Sequence, residues 1–298
     1  MTRGIILLLA SALAFAASTV FVKLITLSSA ISAQEITFFR FLIGFILITA
    51  WLATRRSRPS LRPVRMKYVL LRAVFNVSAA SLFYLGVQYT TVTNANMLNM
   101  TYPLFVFLLA PWINHEPSRR RLYGFLLIAF AGMYLVVVPD FSTIRAGDFL
   151  ALGSGLLAGF SVTTLRETRK YDSTSLILFY VMAIGTVLSG LAVLPIFVLP
   201  DLKIMFLMLL CALAALLGQI TLTWGYRYIG AAPGALVSAS RILFGAALGV
   251  AFFNDPLTVK IICGGLLIVV ALTGISGLPG ARPRAPGPSR PGRSAGPG

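Results

Sequence analysis

The sequence predicts an all-α integral membrane protein with ten transmembrane helices, arranged as two inverted five-helix repeats. Three observations lead to this fold class. The 298 residues are 58% hydrophobic and only 11% charged, with a mean hydropathy of +0.89, whereas a soluble domain carries about 25% charged residues. Ten apolar runs are each long enough to cross the roughly 30 Å hydrocarbon core of a bilayer. The two halves of the chain also share motifs at a nearly constant offset.

The ten predicted spans are joined by short polar segments. Pro195 lies near the end of the seventh span, so we expect its last turns to be kinked or interfacial. Cys211 and Cys263 lie inside apolar runs without metal-ligand spacing, so we expect neither a disulfide framework nor a metal site. The spans cover residues 4–27, 34–53, 68–88, 95–113, 122–139, 147–166, 174–199, 203–224, 231–253 and 258–277.

Basic residues are distributed unevenly between the two sides. If the N-terminus is cytoplasmic, 19 of the 25 basic residues, with Arg72 counted among them, lie in cytoplasmic segments and 3 lie in outside segments. Cytoplasmic loops are enriched in Lys and Arg, so we expect a multi-pass inner-membrane protein with both termini in the cytoplasm. The net charge of +17 is then explained by the membrane surface, and nucleic acid is not an expected partner.

A repeat relates the two halves of the chain. Each repeat holds five spans, and because five is odd, the second copy enters the membrane from the opposite side. The predicted units are 1–139, 140–278 and a disordered cytoplasmic Pro/Gly/Arg tail over 279–298. Inverted repeats are common in transporters, which hold their substrate near the midplane. An offset of 139 relates Gly86 to Gly225, Tyr89 to Tyr228, Leu104 to Leu243 and Pro117 to Pro256, and an offset of 143 relates Gly4 to Gly147, Ser11 to Ser154 and Ser18 to Ser161.

Several of these motifs resemble the drug/metabolite transporter superfamily, EamA type, over about residues 1–277. The resemblance implies a ten-span carrier of small metabolites, and it is strongest to the branch that handles amino acids, amines, carboxylates and S-adenosylmethionine. The second half departs from the family pattern, because Ile242 replaces the expected Pro and Val181 or Tyr180 stands where Arg40 would repeat. The resemblance is carried by Phe38–Phe41 (FFRF), Leu85–Tyr89 (LGVQY), Thr101–Phe105 (TYPLF) and the joints His115-Glu116-Pro117 and Asn254-Asp255-Pro256.

Polar residues inside the spans identify a candidate substrate site, because charge within a bilayer is costly and usually functional. Arg241 lies at the centre of the ninth span, and its repeat equivalent Tyr102 is equally deep. Ser238 and Asn99 each precede them by three residues, on the same helix faces. We expect Arg241 to bind a carboxylate or phosphate, with Tyr102 and Asn99 bonding nearby. The alternative is a structural role for Arg241 among backbone carbonyls or beside an internal carboxylate. Further candidate cavity residues are Phe15, Ser18, Tyr84, Gln219 and Trp224.

The acidic residues bear on mechanism. All eight lie at or near span ends, whereas proton-driven carriers usually keep a titratable acid deep inside. Facilitated diffusion or exchange is therefore favoured, with gradient coupling through Glu35 or an unusual carbonyl site still open. Glu116 and Asp255 are expected to cap helix ends in their loops. Arg40 is interpreted as structural, paired with a helix end or with Glu35.

These observations favour a transporter, specifically an exporter, of small metabolites such as amino acids or related carboxylates, working by alternating access. The expected partners are an anionic or zwitterionic small molecule and the lipid bilayer. One alternative is a flippase for a lipid-linked substrate. The other is an integral membrane enzyme, which the lone His115 and the absence of a deep acid argue against. We therefore expect no catalytic residues, cofactor or metal, and the oligomeric state, monomer or dimer, stays open.

Overall fold

The computed structural model describes residues 1–55, 60–90, 92–116, 120–137, 144–254 and 256–276. Within these ranges the chain is helical and contains no strand. A single 3-10 turn, Leu194–Ile196, follows the eighth helix. The helices are α1 (Thr2–Ser28), α2 (Ala33–Thr54), α3 (Met66–Tyr89), α4 (Val92–Asn99), α5 (Tyr102–Ile113), α6 (Arg120–Val137), α7 (Ala146–Thr168), α8 (Thr174–Val193), α9 (Leu202–Gly225), α10 (Ala231–Ser238), α11 (Arg241–Phe253) and α12 (Val259–Ser276).

The predicted fold class is confirmed. Within the described ranges, nine helical segments are long and apolar enough to cross a membrane, and Val259–Gly274 adds a shorter apolar tenth. Many large apolar side chains face outward, as a lipid-facing surface requires. Trp112 is 82% exposed and Leu202 is 90% exposed. The seventh span departs from helical geometry at Pro195, as expected, because α8 ends at Val193 and the 3-10 turn follows.

The fourth and ninth spans are each divided into two helices. In the fourth span, α4 ends at Asn99 and α5 begins at Tyr102, and in the ninth, α10 ends at Ser238 and α11 begins at Arg241. The two breaks differ by the repeat offset of 139. Broken helices at membrane depth are tolerated where the freed backbone is buried in protein or lines a cavity.

The two halves interlock through equivalent helix pairs. In one pair α1 packs along α9, and in the other α7 packs along α3. A Cβ added to Gly4 would lie 3.4 Å from the carbonyl oxygen of Gly225, and one added to Gly147 would lie 2.5 Å from that of Gly86. These two contacts are equivalent in the repeat, because an offset of 143 relates Gly4 to Gly147 and an offset of 139 relates Gly86 to Gly225. Gly4 lies at the face where α1 begins, which we call the N-terminal face, and Gly147 lies at the opposite, distal face.

The two connecting joints share one backbone feature. His115 and Asn254 both have a φ of 54°, and they are the only non-glycine residues with positive φ in the described part of the chain. They are again 139 residues apart. A residue in this left-handed conformation is a common way to end a helix. Asn254, for example, caps α11 and donates its N–H to the carbonyl of Gly249. Pro117, Asp255 and the tail over 279–298 lie outside the described residues.

Candidate functional site

A cavity of about 160 Å³ lies between the helices near the two breaks. A single buried water needs about 10–15 Å³ on this measure, so the cavity has room for a small metabolite. Seven of the nine predicted site residues line it. Within the described ranges, no cluster of three or more His, Cys, Asp or Glu side chains could hold a metal ion. The seven predicted residues on the cavity wall are Phe15, Tyr84, Asn99, Tyr102, Gln219, Ser238 and Arg241.

Two of the cavity's arginines flank one phenyl ring. The guanidinium carbon of Arg241 lies 5.6 Å from the centroid of Phe15, and that of Arg40 lies 5.9 Å from the same centroid. Arg241 also donates from Nη2 to Oγ1 of Thr19 at 3.2 Å. Arg40 therefore lies in the cavity, and the interpretation that it pairs with Glu35 is wrong. Glu35 instead caps the start of α2 and accepts the N–H of Val198 at 2.7 Å.

Polar groups from both broken spans line the same cavity as these arginines. The hydroxyl of Tyr102 donates to the carbonyl of Ala235 at 3.4 Å, which connects the two breaks. Asn99 donates from Nδ2 to Oγ of Ser154 at 2.8 Å. The hydroxyl of Ser238 is buried and has no hydrogen-bond partner among the described residues. The wall thus places a buried hydroxyl at the break between α10 and α11.

A third arginine in the wall, Arg72, was assigned from the sequence to a cytoplasmic segment. That assignment is wrong, because α3 already begins at Met66 and Arg72 is only 2% exposed. Its Nη1 donates to Oγ of Ser161, and its Nη2 donates to Oε1 of Gln219 at 3.2 Å. Its Nε is buried without a hydrogen-bond partner among the described residues. The repeat indicates that Arg72 lies inside a span, because its repeat equivalent is Cys211, which lies well inside a span.

The cavity is cationic. Three arginines line it, and none of its lining residues is Asp or Glu. Among the described residues the ion pairs join Arg166 to Glu116 and Lys170 to Glu167, so neither neutralises a cavity arginine. Buried charges are ordinarily paired, because an isolated charge pays a large desolvation penalty. The arrangement is suited to binding an anionic group.

The sequence matches the model of the EamA-like transporter family over residues 2–138 and again over 145–277. The chain belongs to this family. It is similar to the pseudopaline exporter CntI of Pseudomonas aeruginosa, with 27% identity over 92% of this chain and 95% of that protein. It is also similar to mouse solute carrier family 35 member G1, with 27% identity over 91% of this chain and 77% of that protein. A solved crystal structure with 14% identity has a TM-score of 0.79, covers 92% of this chain and 96% of that one, and shows the same fold.

This EamA-like transporter is a multi-pass membrane protein that moves small metabolites. A charged network lies at its N-terminal face. Glu116 accepts from Nε of Arg166 at 2.8 Å and from the N–H of Ala231 at 2.8 Å. Arg166 also donates to the carbonyl of Tyr226 at 2.8 Å. Glu116 therefore caps a helix, as expected, but the helix is α10 of the other half.

Two predicted site residues lie away from the cavity of the EamA-like transporter. Ser18 is buried between α1 and α9, where its hydroxyl donates to the carbonyl of Cys211 at 3.2 Å. Trp224 is 49% exposed near the end of α9. Neither belongs to the cavity wall, so the predicted roles of Ser18 and Trp224 in substrate contact have no support from the geometry.

Proposed function

We propose that this EamA-like transporter exports small metabolites that bear a carboxylate, such as amino acids or related compounds, across the inner membrane. The observation that carries the proposal is Arg241, which lies in the cavity at a mid-span helix break and forms no ion pair with a described carboxylate. A guanidinium presents donors in a fixed fork that matches a carboxylate. Tyr102, Ser238 and Asn99 line the same cavity and supply further hydrogen-bonding groups.

The direction of transport rests on two considerations. Once Arg72 is placed inside α3, 18 basic residues lie in cytoplasmic segments and 3 in outside segments, which favours a cytoplasmic N-terminal face. The relative from Pseudomonas aeruginosa is named an exporter. The network of Glu116, Arg166 and Ala231 would separate in the state that loads substrate from the cytoplasm. It would re-form in the state that releases substrate at the distal face. Alternation of this kind is typical of inverted-repeat carriers.

A ligand-induced thermal shift on the purified protein tests this function. Binding to the folded state raises stability by about 2.7 kcal/mol at a ligand concentration 100 times the Kd. We expect carboxylated metabolites to stabilise the wild type and to lose this effect in Arg241→Ala. Arg65→Ala is the control, because Arg65 stacks on Tyr171 at 4.3 Å, away from the cavity.

Hits from this screen would then be loaded into proteoliposomes to measure efflux. Equal stabilisation of wild type and Arg241→Ala would contradict the assigned role of Arg241. Stabilisation by cationic metabolites alone would contradict the proposed substrate class.

A further inference from the structure

The cavity has two separate groups of cationic side chains. Arg40 lies seven residues from the distal end of α2, and Arg72 lies six residues from the start of α3 at the N-terminal face. At 1.5 Å per residue, these positions place their α-carbons about 15 Å apart along helices of roughly 35 Å. Arg241 belongs with Arg40, because both guanidinium groups lie within 6 Å of the Phe15 ring centroid. We call Arg40 and Arg241 the outer pair and Arg72 the inner cation.

One stripe of α3 connects the two groups. The α3 residues on the cavity wall fall three, four or one positions apart, which places them along a single helix face. Arg72 begins the stripe, and Tyr84 ends it, three helical turns further on. A single elongated ligand could therefore contact the inner cation and the outer pair together. The α3 residues of the wall are Arg72, Asn76, Ala79, Ala80, Phe83 and Tyr84.

The partners of the inner cation are all neutral. Ser161 and Gln219 accept from its two terminal nitrogens, and Gln219 in turn donates to Oδ1 of Asn76 at 3.5 Å. Its Nε donor is unused among the described residues. A buried guanidinium held only by a hydroxyl and an amide keeps its full charge uncompensated. An anionic group of the ligand would supply both the missing acceptor and the missing charge.

The repeat shows that packing at this position does not need a cation. Ser161 donates to the carbonyl of Arg72 at 3.5 Å, and the equivalent Ser18 donates to the carbonyl of Cys211 at 3.2 Å. The same helix-to-helix contact is thus made in one half with an arginine and in the other with a cysteine. The charge of Arg72 is an addition that the shared fold does not require.

We infer that Arg72 forms a second anion subsite and that the transported metabolite carries at least two acidic groups. One carboxylate would bind between Arg40 and Arg241, and the other would bind Arg72 from the side of its Nε. This inference rests on the proposed function and narrows its substrate class from carboxylates in general to compounds with two or more carboxylates. The competing explanation is that Arg72 only braces α3, α7 and α9 through Ser161 and Gln219.

Matched pairs of ligands separate these explanations. Glutamate and glutamine differ by one carboxylate, as do aspartate and asparagine, and a panel of mono-, di- and tricarboxylates widens the test. Apparent Kd values come from the concentration dependence of the thermal shift. If the subsite exists, each diacid binds wild type about 10- to 100-fold more tightly than its monoamide, the range expected for one charge-assisted contact.

The variants then assign this preference to a residue. Arg72→Gln should remove the preference for glutamate over glutamine, whereas Arg241→Ala should weaken the binding of both ligands. Arg72→Lys should keep part of the preference, because it keeps the charge. Gln219→Glu covers the case in which Arg72→Gln does not fold. It places a carboxylate beside Nη2 of an intact Arg72, and it should also abolish the preference.

The outcomes distinguish the inference from the function beneath it. If wild type binds diacids and monoamides equally, or if Arg72→Gln and Gln219→Glu both keep the preference, Arg72 is a brace and the inference is overturned while the proposed function stands. If no member of the carboxylate panel stabilises wild type, the proposed function fails and the inference fails with it.

Discussion

Replacing Glu116 with glutamine should open the N-terminal face. The substitution preserves side-chain volume but removes the charge that holds Arg166 and the N–H of Ala231, both at 2.8 Å. The Arg166 and Glu116 side chains are 9% and 22% exposed, so the pair is better shielded than a surface pair worth about 0–1 kcal/mol. It is less buried than the pairs whose disruption costs about 3–5 kcal/mol. An intermediate cost of about 2 kcal/mol shifts the opening equilibrium about 30-fold, because each 1.4 kcal/mol is a factor of ten.

Thiol labelling from the N-terminal face measures this shift. The reporter is Ala158→Cys, a position on the cavity wall, in a background with the exposed Cys263 changed to serine, while Cys211 is buried. Inside-out vesicles and a membrane-impermeant maleimide confine labelling to the face proposed to be cytoplasmic. Glu116→Gln should raise the labelling rate about 30-fold where opening is fast relative to labelling.

A matched control lies at the same face. Glu167→Gln removes the carboxylate that pairs with Lys170 and accepts from Nδ2 of Asn114 at 3.4 Å. Neither of these partners belongs to α10. The substitution should leave the labelling rate near that of wild type. Equal rates in the two variants would refute the assignment of Glu116 as the group that closes this face.

Three further predictions concern packing, the site and coupling. Gly147→Ala should lower the free energy of unfolding by about 1–3 kcal/mol, because its Cβ would lie 2.5 Å from the Gly86 carbonyl oxygen. The control is Gly245→Ala, which adds a methyl group to open space. Equal melting temperatures for the two variants would contradict this packing. Ser18→Ala should lower the free energy of unfolding by about 1 kcal/mol, and Trp224→Phe should lower it by less. Neither variant should change ligand affinity. A loss of affinity in either variant would show that the residue belongs to the site. An imposed pH gradient should not drive accumulation of substrate in proteoliposomes, because no acid belongs to the described cavity wall. Accumulation that an uncoupler abolishes would indicate proton coupling.

The spans and the repeat could be predicted because their signals are local in the sequence. Hydropathy depends only on composition over about twenty residues, and an offset depends only on matched positions. The mid-span breaks depend on contacts between distant elements. Gly155 and Gly159 of α7 let the carbonyls of Leu98 and Tyr102 approach to 2.9 and 3.4 Å of where their Cβ atoms would lie. Pro103, in the first turn of α5, is compatible with a helix start but does not require one.

The site was predicted to the extent that helix periodicity and the repeat determine which faces meet. Arg241 and Tyr102 met this condition, and their surroundings confirm that both lie on one cavity wall. Arg72 was not predicted as a site residue, because it was counted with the basic residues that precede it in the sequence. Those residues indicate a cytoplasmic segment. Trp224 lies off the cavity wall, because five residues place it about 140° around α9 from Gln219.

The interlocked pairs of α1 with α9 and α3 with α7 also bear on how the chain is assembled in the membrane. Each half provides helices whose main packing partners belong to the other half, so the unit that repeats in the sequence is not the unit that folds. The segment Asn94–Ile113 has the lowest mean hydropathy of the nine candidate spans, 1.2, and it packs against α7, which emerges from the ribosome later. We therefore expect the first half, synthesised alone, to insert its fourth span inefficiently, and the finished bundle to form only once both halves are in the bilayer.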